Sequence, residues 1–559
     1  MILIQGSGGG GKGGGNKTPT EADDSLQSVQ HAKVLDLIAE GPIQGLDNQT
    51  YPLNSIFLDG TPIQNSAGED RFDSNAYSVI YDRLGTQGQS YIPDLEGTSV
   101  EQGVGASITK TNPPASATQQ IGDGTNSTSI DRIRITISFN ALQEFQDDGD
   151  IVENSVQLKI QLAYNGAGFQ DIKTDTVSGK SSSTYKRDYI ITPAQWNGQS
   201  GGSSNWPIQV KLVRVSDDAT NKNVSAFVWE SYTKISDEKL SYPNSALMYL
   251  RFDASSFNSI PQRKYLIRGL KVNIPHNGSV DTTTHIGRVT YSGLFNGTVN
   301  NVQWTNDPAW CLWDLLVNAR YGCGIPANQL DNFDFYKISQ YCNELVSDGK
   351  GGVEPRFSCN MLINSKAEVY NAIQAMTAIF RGMSFYSAGS LVALCDKPRD
   401  SQYVLGPSNV VNGAFQYQGS SQKARHTVVT VGYQDYDGLG EVKIEYVEDA
   451  DAIAKYGIIP TQVQALGCYS QGQARRLGKW MLLSEQNLTQ TISFEVDISS
   501  GIILRPGMVI DIADPTKTGR RRFGRIQSAT TTSITVDSDT DLINVDMSAS
   551  TTLSVLLPT

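Results

Sequence analysis

The feature that most constrains the fold is the alternation of apolar and polar residues in "IDRIRITISF" at 130–139. Side chains along an extended strand point alternately to opposite sides, so the isoleucines of this segment lie on one face and its arginines on the other. The same period of two recurs at 155–169 and at 206–215. These segments predict a half-buried antiparallel sheet, which two further strands close, at 245–253 and 264–275.

The composition also favours a mainly β chain. The 559 residues include 52 Gly and 24 Tyr, and apolar residues make up 39% against 18% charged, a balance typical of strands and turns. A chain of this length is expected to form about three to five domains. Near its start, Gly41-Pro42 separates two apolar segments, and we expect two strands joined by a turn there rather than a helix.

Helices are expected mainly between 306 and 382. In "NDPAWCLWDLLVNARYGCG", Asp307 is a good N-cap and Pro308 occupies the first helical position. Gly322 is expected to close this helix in a left-handed turn.

One stripe of this helix is strongly apolar. Trp310, Trp313 and Leu316 share it, which predicts a helix nearly surrounded by protein. We expect these three residues and Tyr321 to form the core of a middle domain, with a subunit contact as the alternative role.

Two capping boxes mark the starts of later helices. A helix is predicted over 332–346, and the next one begins at Ser365, where Glu368 completes a box. The last long helix begins at Ser470 with Gln473 three residues on. Strands of a final β unit follow it.

The first residues, "MILIQGSGGGGKGGGNKTPT", come close to a phosphate-binding loop. From Gly6 to Lys12 they match most of the pattern G-x-x-x-x-G-K-[ST], but Gly13 stands where a Ser or Thr should ligate Mg²⁺, and no helix is expected to follow. A glycine tract loses much backbone entropy on ordering and buries nothing in return. We therefore predict a flexible arm that becomes ordered only where a partner holds it.

Other motifs of catalytic or metal sites are incomplete. The pattern G-x-S-x-G at 198–202 lies in a polar loop instead of between a strand and a helix, and "DSDTD" at 537–541 has Leu542 where a calcium loop needs glycine. The four histidines are scattered, and none of the six cysteines pairs as C-x-x-C. We expect buried thiols and no metal, cofactor or catalytic residue.

Two charged clusters each have an ordinary and a functional interpretation. Glu448, Asp449 and Asp451 could act as paired carboxylates of a glycosidase, but their place at the start of a predicted helix favours a role at its positive end. The basic stretch "KTGRRRFGR" is predicted to be a hairpin tip, either solvated or contacting an acidic subunit or a phosphate backbone. Its basic residues are Lys517, Arg520, Arg521, Arg522 and Arg525.

Charge and hydropathy exclude two classes of protein. A formal charge of −12 argues against non-specific binding to duplex DNA. No apolar run approaches the roughly 20 residues of a membrane span, and "MILI" is too short for a signal-peptide core. We expect a chain made and assembled in a cytosol.

Seven separated stretches, in a shared order, resemble the tip attachment (host-specificity) protein J family of lambda-like long-tailed phages. They extend over most of residues 30–530, and the ordered set is specific although each stretch is modest alone. The stretches are "VLDLIAEGPIQGL", "SIDRIRITISFNAL", "YPNSALMYLRFD", "AWCLWDLLVNARYGCG", "QYCNELVSDGKGGVEPRFSCN", "VEDADAIAKYG" and "ALGCYSQGQARRLGKWML".

The resemblance implies an α+β, mainly β structural protein of the virion tail tip. Several barrel-like or sandwich-like tail-hub domains and a helix-containing middle domain would assemble as a ring-shaped homotrimer. This hub would close the distal tail tube and couple attachment to a host receptor to channel opening and DNA ejection. The implied partners are the distal tail protein, other tail-tip proteins, the tape measure protein and DNA in passage, which the summed acidity of three copies would repel.

The expected domains follow from the resemblance and the strand pattern together. They are a flexible glycine-rich arm (1–30), the first strands of hub domain I (31–63), an inserted β-rich domain (64–240), the return strands of hub domain I (241–305), a helix-bearing α/β domain (306–400) and a second β-rich hub domain with a helix at 470–488 (401–559). Because the family usually continues into a receptor-binding fibre, we expect the native chain to extend beyond Thr559.

Candidate subunit contacts lie at both ends of the chain. We expect Ile2, Leu3 and Ile4 to act as an apolar anchor on the sheet edge of another copy, and the basic stretch 517–525 to contact a neighbouring chain. Two other functions stay open. A glycan-degrading enzyme of the cell envelope would show paired carboxylates about 5–9.5 Å apart in a cleft, and a carbohydrate-binding adhesin would show an exposed aromatic platform.

Overall fold

Strands predominate in the computed structural model, which confirms the mainly β class. The chain divides between residues 270 and 271 into two units. No sheet of the described strands closes into a barrel, and no helix in the described ranges is long and apolar enough to cross a membrane. The structure describes residues 20–26, 28, 31–73, 77–93, 95–122, 130–164, 168–192, 195, 207–253, 257, 259–364, 369–387, 390–421, 425–518 and 525–536.

The first unit is built from strands. In chain order they are β1 (His31–Glu40), β2 (Ile43–Leu46), β3 (Ile56–Leu58), β4 (Thr61–Pro62), β5 (Tyr77–Leu84), β6 (Glu96–Ser107), β7 (Thr118–Ile121), β8 (Arg132–Phe139), β9 (Gln143–Phe145), β10 (Ile151–Val152), β11 (Asn154–Tyr164), β12 (Gln170–Gly179), β13 (Tyr185–Ile191), β14 (Ile208–Arg214), β15 (Asn223–Val224), β16 (Phe227–Asp237), β17 (Ser245–Asp253), β18 (Arg263–Tyr265) and β19 (Ile267–Pro275), whose last residues belong to the second unit.

Two four-stranded antiparallel sheets share the largest core of the first unit. Their strand orders are β12-β11-β14-β7 and β13-β8-β16-β6. Ile133, Ile135 and Ile137 of β8 are fully buried, as the alternation predicts, and they share a core with Leu158 and Ile160 of β11. The two sheets form a β-sandwich, in which the apolar face of each sheet covers that of the other and excludes water.

The prediction that the alternating segments form a single sheet is wrong. The strand at 245–253 lies between β1 and β5, and β19 pairs first with β2 and, beyond residue 270, with Val299–Trp304. Alternation shows which side of a strand is buried, whereas the pairing partner depends on cross-strand packing and on connections that the pattern does not contain.

Strands that precede and follow the sandwich in the chain pair with each other. β1 and β17 are antiparallel, with Leu35 opposite Tyr249.

Asp36 of β1 forms an ion pair with Arg263 of β18. Its carboxylate accepts hydrogen bonds from the Arg263 guanidinium at 2.6 and 2.9 Å and from the Tyr265 hydroxyl at 2.5 Å. The bonds from Arg263 hold the pKa of Asp36 below its ordinary value. The domain boundaries given above stay a prediction.

The second unit combines short strands with helices. Its strands are β20 (Gly278–Val280), β21 (Val289–Tyr291), β22 (Val299–Trp304), β23 (Leu345–Ser347), β24 (Val353–Pro355), β25 (Gly382–Ser387), β26 (Ser390–Cys395), β27 (Tyr403–Leu405), β28 (Gln416–Gly419), β29 (Val428–Asp435), β30 (Glu441–Glu448), β31 (Pro460–Gln464), β32 (Gln490–Ser493), β33 (Ile510–Ile512), β34 (Ile526–Ala529) and β35 (Ile534–Val536). Its helices are α1 (Pro308–Val317), α2 (Asn332–Cys342), α3 (Val369–Ile379), α4 (Ala450–Tyr456), α5 (Gln471–Asn487), α6 (Ile498–Ile503) and α7 (Pro515–Thr518).

The predicted N-cap of α1 is confirmed, and it lies deep in the core. Asp307 is 1% exposed, and its carboxylate accepts hydrogen bonds from the Ala309 N–H at 2.8 Å, the Asn343 amide at 2.6 Å and the Ser339 hydroxyl. Burial raises the pKa of Asp307, and the hydrogen bonds act in the opposite direction. One side chain thus joins the start of α1 to the end of α2.

The predicted end of α1 at Gly322 is wrong. The helix ends at Val317, its C-cap Asn318 is extended, and Gly324 adopts the positive φ, 66°. A Cβ at Gly322 would lie 2.2 Å from the carbonyl oxygen of Leu315. Glycine is required there because two backbone segments approach closely, not because of an unusual dihedral angle.

The capping box predicted at the start of α5 is only half formed. Ser470 accepts from the N–H of Gln473 at 3.2 Å, as expected. The Gln473 side chain bonds instead to the backbone N–H of Ser358 at 3.0 Å and to its carbonyl oxygen at 3.2 Å. A tertiary contact has replaced the local one. The other predicted box, Ser365 with Glu368, lies outside the described residues.

Asp307→Ala should lower the free energy of unfolding by about 2–5 kcal/mol, because it removes a cap and leaves buried donors without an acceptor. Asp449→Ala, at the half-buried N-cap of α4, should cost only about 0.5–2 kcal/mol. Denaturant unfolding of both variants measures the difference. Equal losses would contradict a special role for the buried carboxylate.

Candidate assembly surfaces

β30 is an edge strand that exposes apolar side chains. The sheet order is β30-β29-β31, so no described strand pairs with its outer edge. Val442, Ile444 and Tyr446 alternate on one face and keep 65%, 64% and 55% of their surface exposed. An apolar edge with free backbone groups is a template for another strand. β30 is therefore a candidate contact surface in the second unit.

The opposite face of the same sheet is covered by α5. Val429, Val431 and Val447 share a core there with Ala474 and Leu482 of the helix. Because α5 packs on this face, Val442, Ile444 and Tyr446 lie on the other face of the sheet. No element within the described part of the chain covers them there.

Gly478 allows α5 to lie close to the sheet. A Cβ at this position would lie 2.8 Å from Cγ2 of Val447 and 3.2 Å from Cγ2 of Val431. Side-chain carbons do not approach so closely, so a larger residue would push the helix and the sheet apart.

The surroundings of β30 are acidic. Residues 435–451 contain seven carboxylate side chains and one lysine. The Lys443 ammonium lies 2.5 Å from Asp435 and lowers the pKa of that carboxyl. Glu445 is buried and lies 4.0 Å from the Arg475 guanidinium. The other five carboxylates outnumber the basic side chains of this stretch, so this surface favours a neutral or basic partner. The acidic residues are Asp435, Asp437, Glu441, Glu445, Glu448, Asp449 and Asp451.

The carboxylates that could have formed a glycosidase pair lie at the start of α4. Asp449 accepts from the Ala452 N–H at 3.0 Å, and Asp451 lies in the first turn, which confirms the helix-start interpretation. Glu448 is exposed at the end of β30 and accepts from the Tyr446 hydroxyl at 2.9 Å.

The basic stretch 517–525 is not a hairpin tip, so that prediction is wrong. β33 before it pairs in parallel with β27, whereas β34 after it pairs with β35. Lys517 lies on α7 with its ammonium 4.6 Å from the ring centroid of Tyr417, and Arg525 is exposed. A role in a subunit contact stays a prediction. Three of its residues lie outside the described ranges: Arg520, Arg521 and Arg522.

The residues that follow the N-terminal arm are fixed to the sandwich. Lys180 is 2% exposed, and its ammonium donates to Glu21 at 2.8 Å and to Asp24 at 2.9 Å. The N–H groups of Ser25 and Leu26 both donate to the Lys180 carbonyl oxygen at 2.9 Å. Hydrogen bonds from the Lys180 ammonium and from the hydroxyl and N–H of Ser182 lower the pKa of Asp24 to about 2. The apolar residues of the arm lie outside the described ranges: Ile2, Leu3 and Ile4.

The residues predicted as core of the middle domain lie on or near α1. Trp310 and Leu316 are fully buried, and Trp313 is 4% exposed. Tyr321 is half-buried, and its hydroxyl donates to Asp314 at 2.5 Å. Their assignment to a purely structural role stays a prediction.

A cavity of 560 Å³ in the second unit was not indicated by any sequence pattern. Arg381 lines it, with its guanidinium 5.2 Å from the ring centroid of Phe357 and 5.1 Å from that of Trp480. Burial lowers the pKa of Arg381 to about 10, so it stays charged at neutral pH. The cavity walls come from segments far apart in the chain, which is why local patterns did not reveal it.

Catalytic and metal-binding motifs find no further support in the described residues. No three side chains of His, Cys, Asp or Glu come together there as potential metal ligands. Four of the six cysteines are buried, the other two are half-buried, and all are free thiols. The G-x-S-x-G segment at 198–202 and "DSDTD" at 537–541 lie outside the described ranges.

Two family models match separate parts of the chain. Residues 98–238 match the FNIII-A domain of tip attachment protein J, and residues 368–528 match a model described as a putative phage tail protein. The first match covers most strands of the sandwich, and the second includes β30 and α5.

Curated relatives are similar along nearly the whole chain. Tip attachment protein J of Escherichia phage SECphi4 is 32% identical over 541 residues, which are 95% of this chain and 45% of that protein. Tip attachment protein J of Escherichia phage SECphi27 is 32% identical over 514 residues, or 90% and 40% of the two chains. The chain therefore spans under half the length of these relatives.

Two solved structures show weaker likeness. A chain in the virion of a native gene transfer agent particle is 14% identical with a TM-score of 0.34, covering 52% of this chain and 63% of that one. The 43 kDa tail protein of prophage MuSo2 from Shewanella oneidensis is 11% identical with a TM-score of 0.23, covering 69% and 86%. Likeness at these scores is too weak to define the fold.

Lys180→Met should loosen the attachment of residues 21–26 and leave the sandwich folded. Methionine keeps the buried aliphatic volume and the backbone bonds to residue 180, but it removes the ammonium that holds two carboxylates. Hydrogen exchange at Ser25 and Leu26 should accelerate, while β11 keeps its protection. Lys159→Met, which removes an exposed ion pair with Asp171, is the control. Unchanged exchange at the two amides would contradict the assignment.

The contact of the Asp24 carboxylate with Lys180 and Ser182 depends on pH. The pKa of Asp24 is about 2 in the folded chain, below the value of about 3.9 for an unfolded chain. The contact therefore stabilises the folded chain above about pH 4 and loses this contribution as the pH falls towards 2.

Gly478→Ala should destabilise the second unit by about 1–3 kcal/mol, because the added methyl must displace Val447 or move α5. Gly501→Ala in α6 is a matched control, since the nearest heavy atom to its Cβ is 3.9 Å away. That variant should be neutral or gain up to about 1 kcal/mol from helix propensity. Unfolding curves in denaturant compare the two, and similar effects would contradict the close helix–sheet contact.

Proposed function

Because this chain belongs to the family of phage tip attachment proteins J, we propose that it is the structural hub of a tail tip. The hub closes the distal end of the tail tube and organises the other tip proteins. It couples attachment at the host receptor to opening of the channel and ejection of DNA. Similarity to two curated tip attachment proteins over 90–95% of the chain is the observation that carries this proposal.

In this proposal three copies form a ring, and β30 contributes to the contact between them. The support is its row of Val442, Ile444 and Tyr446, which stays more than half exposed although the opposite face of the sheet packs against α5. Large apolar side chains in a row on a free sheet edge are typical of surfaces that become buried on assembly.

The proposed partners are those of a tail tip. The ring binds the distal tail protein, other tip proteins and the tape measure protein, and a region beyond this chain or a separate protein binds the receptor. A net charge of −12 per copy keeps passing DNA from adhering to the ring. Assembly takes place in the host cytoplasm.

We propose that the chain acts without catalysis. Glycan hydrolysis has less support because Asp449 and Asp451, two of its candidate carboxylates, serve the start of α4. Carbohydrate adhesion would need an exposed aromatic platform, and the row of β30 supplies only Tyr446 towards one.

The mass of the assembled chain in solution tests the proposal. Mass photometry should give a particle of about three times the chain mass of 60.8 kDa. Ile444→Asp should weaken association by roughly tenfold or more, because it places a charge in a desolvated contact. Val100→Asp, on the edge strand β6 and 48% exposed, is the matched control and should assemble normally. A wild-type chain that stays monomeric at every concentration would contradict the trimeric hub.

A further inference from the structure

We propose that β30 binds residues 2–4 of a neighbouring copy as an added strand. The inference rests on the proposed trimeric hub and identifies a segment that joins its copies. The donor is the sequence Ile-Leu-Ile, and the acceptor is the outer edge of β30.

The chemistry of the two segments matches. An added strand satisfies the free backbone groups of an edge, and its alternate side chains contact the matching row of the acceptor. Ile2 and Ile4 would fall on one face, beside the exposed row of Val442, Ile444 and Tyr446. Cross-strand pairs of β-branched residues with aliphatic or aromatic side chains stabilise such contacts.

The donor segment is connected through a stretch of chain to Thr20, which is fixed to the first unit. The Thr20 N–H donates to the Asp150 carboxylate at 2.7 Å, and the Thr20 carbonyl oxygen accepts from the Ile151 N–H at 2.9 Å. Fifteen residues, 5–19, separate Thr20 from the apolar segment at 2–4. A chain of this length can span at most about 50 Å. The segment can therefore reach a neighbouring molecule.

The charges of donor and acceptor are complementary. Residues 1–19 contain Lys12 and Lys17 and no carboxylate side chain. The acceptor strand lies in the acidic stretch 435–451 described above. Opposite charges at this range favour docking of the arm and disfavour pairing of two acidic edges.

Symmetry distinguishes this contact from pairing of β30 with another β30. Pairing of identical edges is isologous, so it joins two copies about a twofold axis and leaves a third copy without a partner. An arm that binds a different surface makes a head-to-tail contact, which closes a ring of three.

Photo-crosslinking of the full 559-residue chain tests the inference. One preparation carries p-benzoylphenylalanine in place of Leu3 and natural isotopes, and a second, wild-type preparation is labelled with ¹⁵N. The two are dissociated, mixed and reassembled, then irradiated, and crosslinked peptides are identified by mass spectrometry. The particle mass is measured on the same sample, and Ile444→Asp and Val100→Asp are introduced into the labelled chain for comparison.

We expect crosslinks from position 3 to residues 441–448 of the ¹⁵N-labelled chain, at least tenfold fewer with Ile444→Asp and an unchanged yield with Val100→Asp. Trimers with crosslinks only inside one copy, to other segments, or absent altogether would overturn the inference and leave the trimeric hub intact. Absence of trimers from the wild-type mixture would overturn the proposed function, and the inference with it.

Discussion

A strand with one apolar face needs a second layer over that face, and this requirement organises both units. In the sandwich, the isoleucines of β8 and the inward residues of β11 cover each other and are fully buried. In the second unit α5 covers one side of the β29 sheet, and Gly478 lets the helix lie close. The outward row of β30 does not have such a layer within the described residues, so the same requirement points to another chain as its cover.

Buried charges connect elements that local patterns would leave separate. Asp307 joins the start of α1 to residues at the end of α2, and three hydrogen bonds offset part of its cost of burial. Lys180 ties the root of the N-terminal arm to the sandwich through Glu21 and Asp24. Residues 20–26 therefore have a defined position on the sandwich, and the proposed contact of residues 2–4 with a neighbouring copy starts from there.

Local features of the fold could be predicted, and features that depend on distant residues could not. The cap at Asp307 and the alternation in β8 were correct because each depends on a few neighbouring residues. Gln473 was predicted to complete a local box, but Ser358, more than a hundred residues away, takes its side chain. The basic stretch was predicted as a hairpin because its flanks are strands, yet those strands belong to different sheets. The exposed row of β30 could have been noticed in "EVKIEYVE" as an alternation, but its exposure depends on which face α5 covers.

The sequence by itself determined the mainly β class, the inward faces of the long strands, the start of α1 and the resemblance to phage tail-tip proteins, because these depend on periodicity, capping chemistry and ordered motifs along the chain. Only the tertiary structure decided how strands pair across long separations, that two sheets form one sandwich, and that β30 is an edge with an uncovered apolar row. The physical reason is that burial and pairing are properties of the neighbours a residue acquires on folding, and those neighbours come from distant parts of the chain.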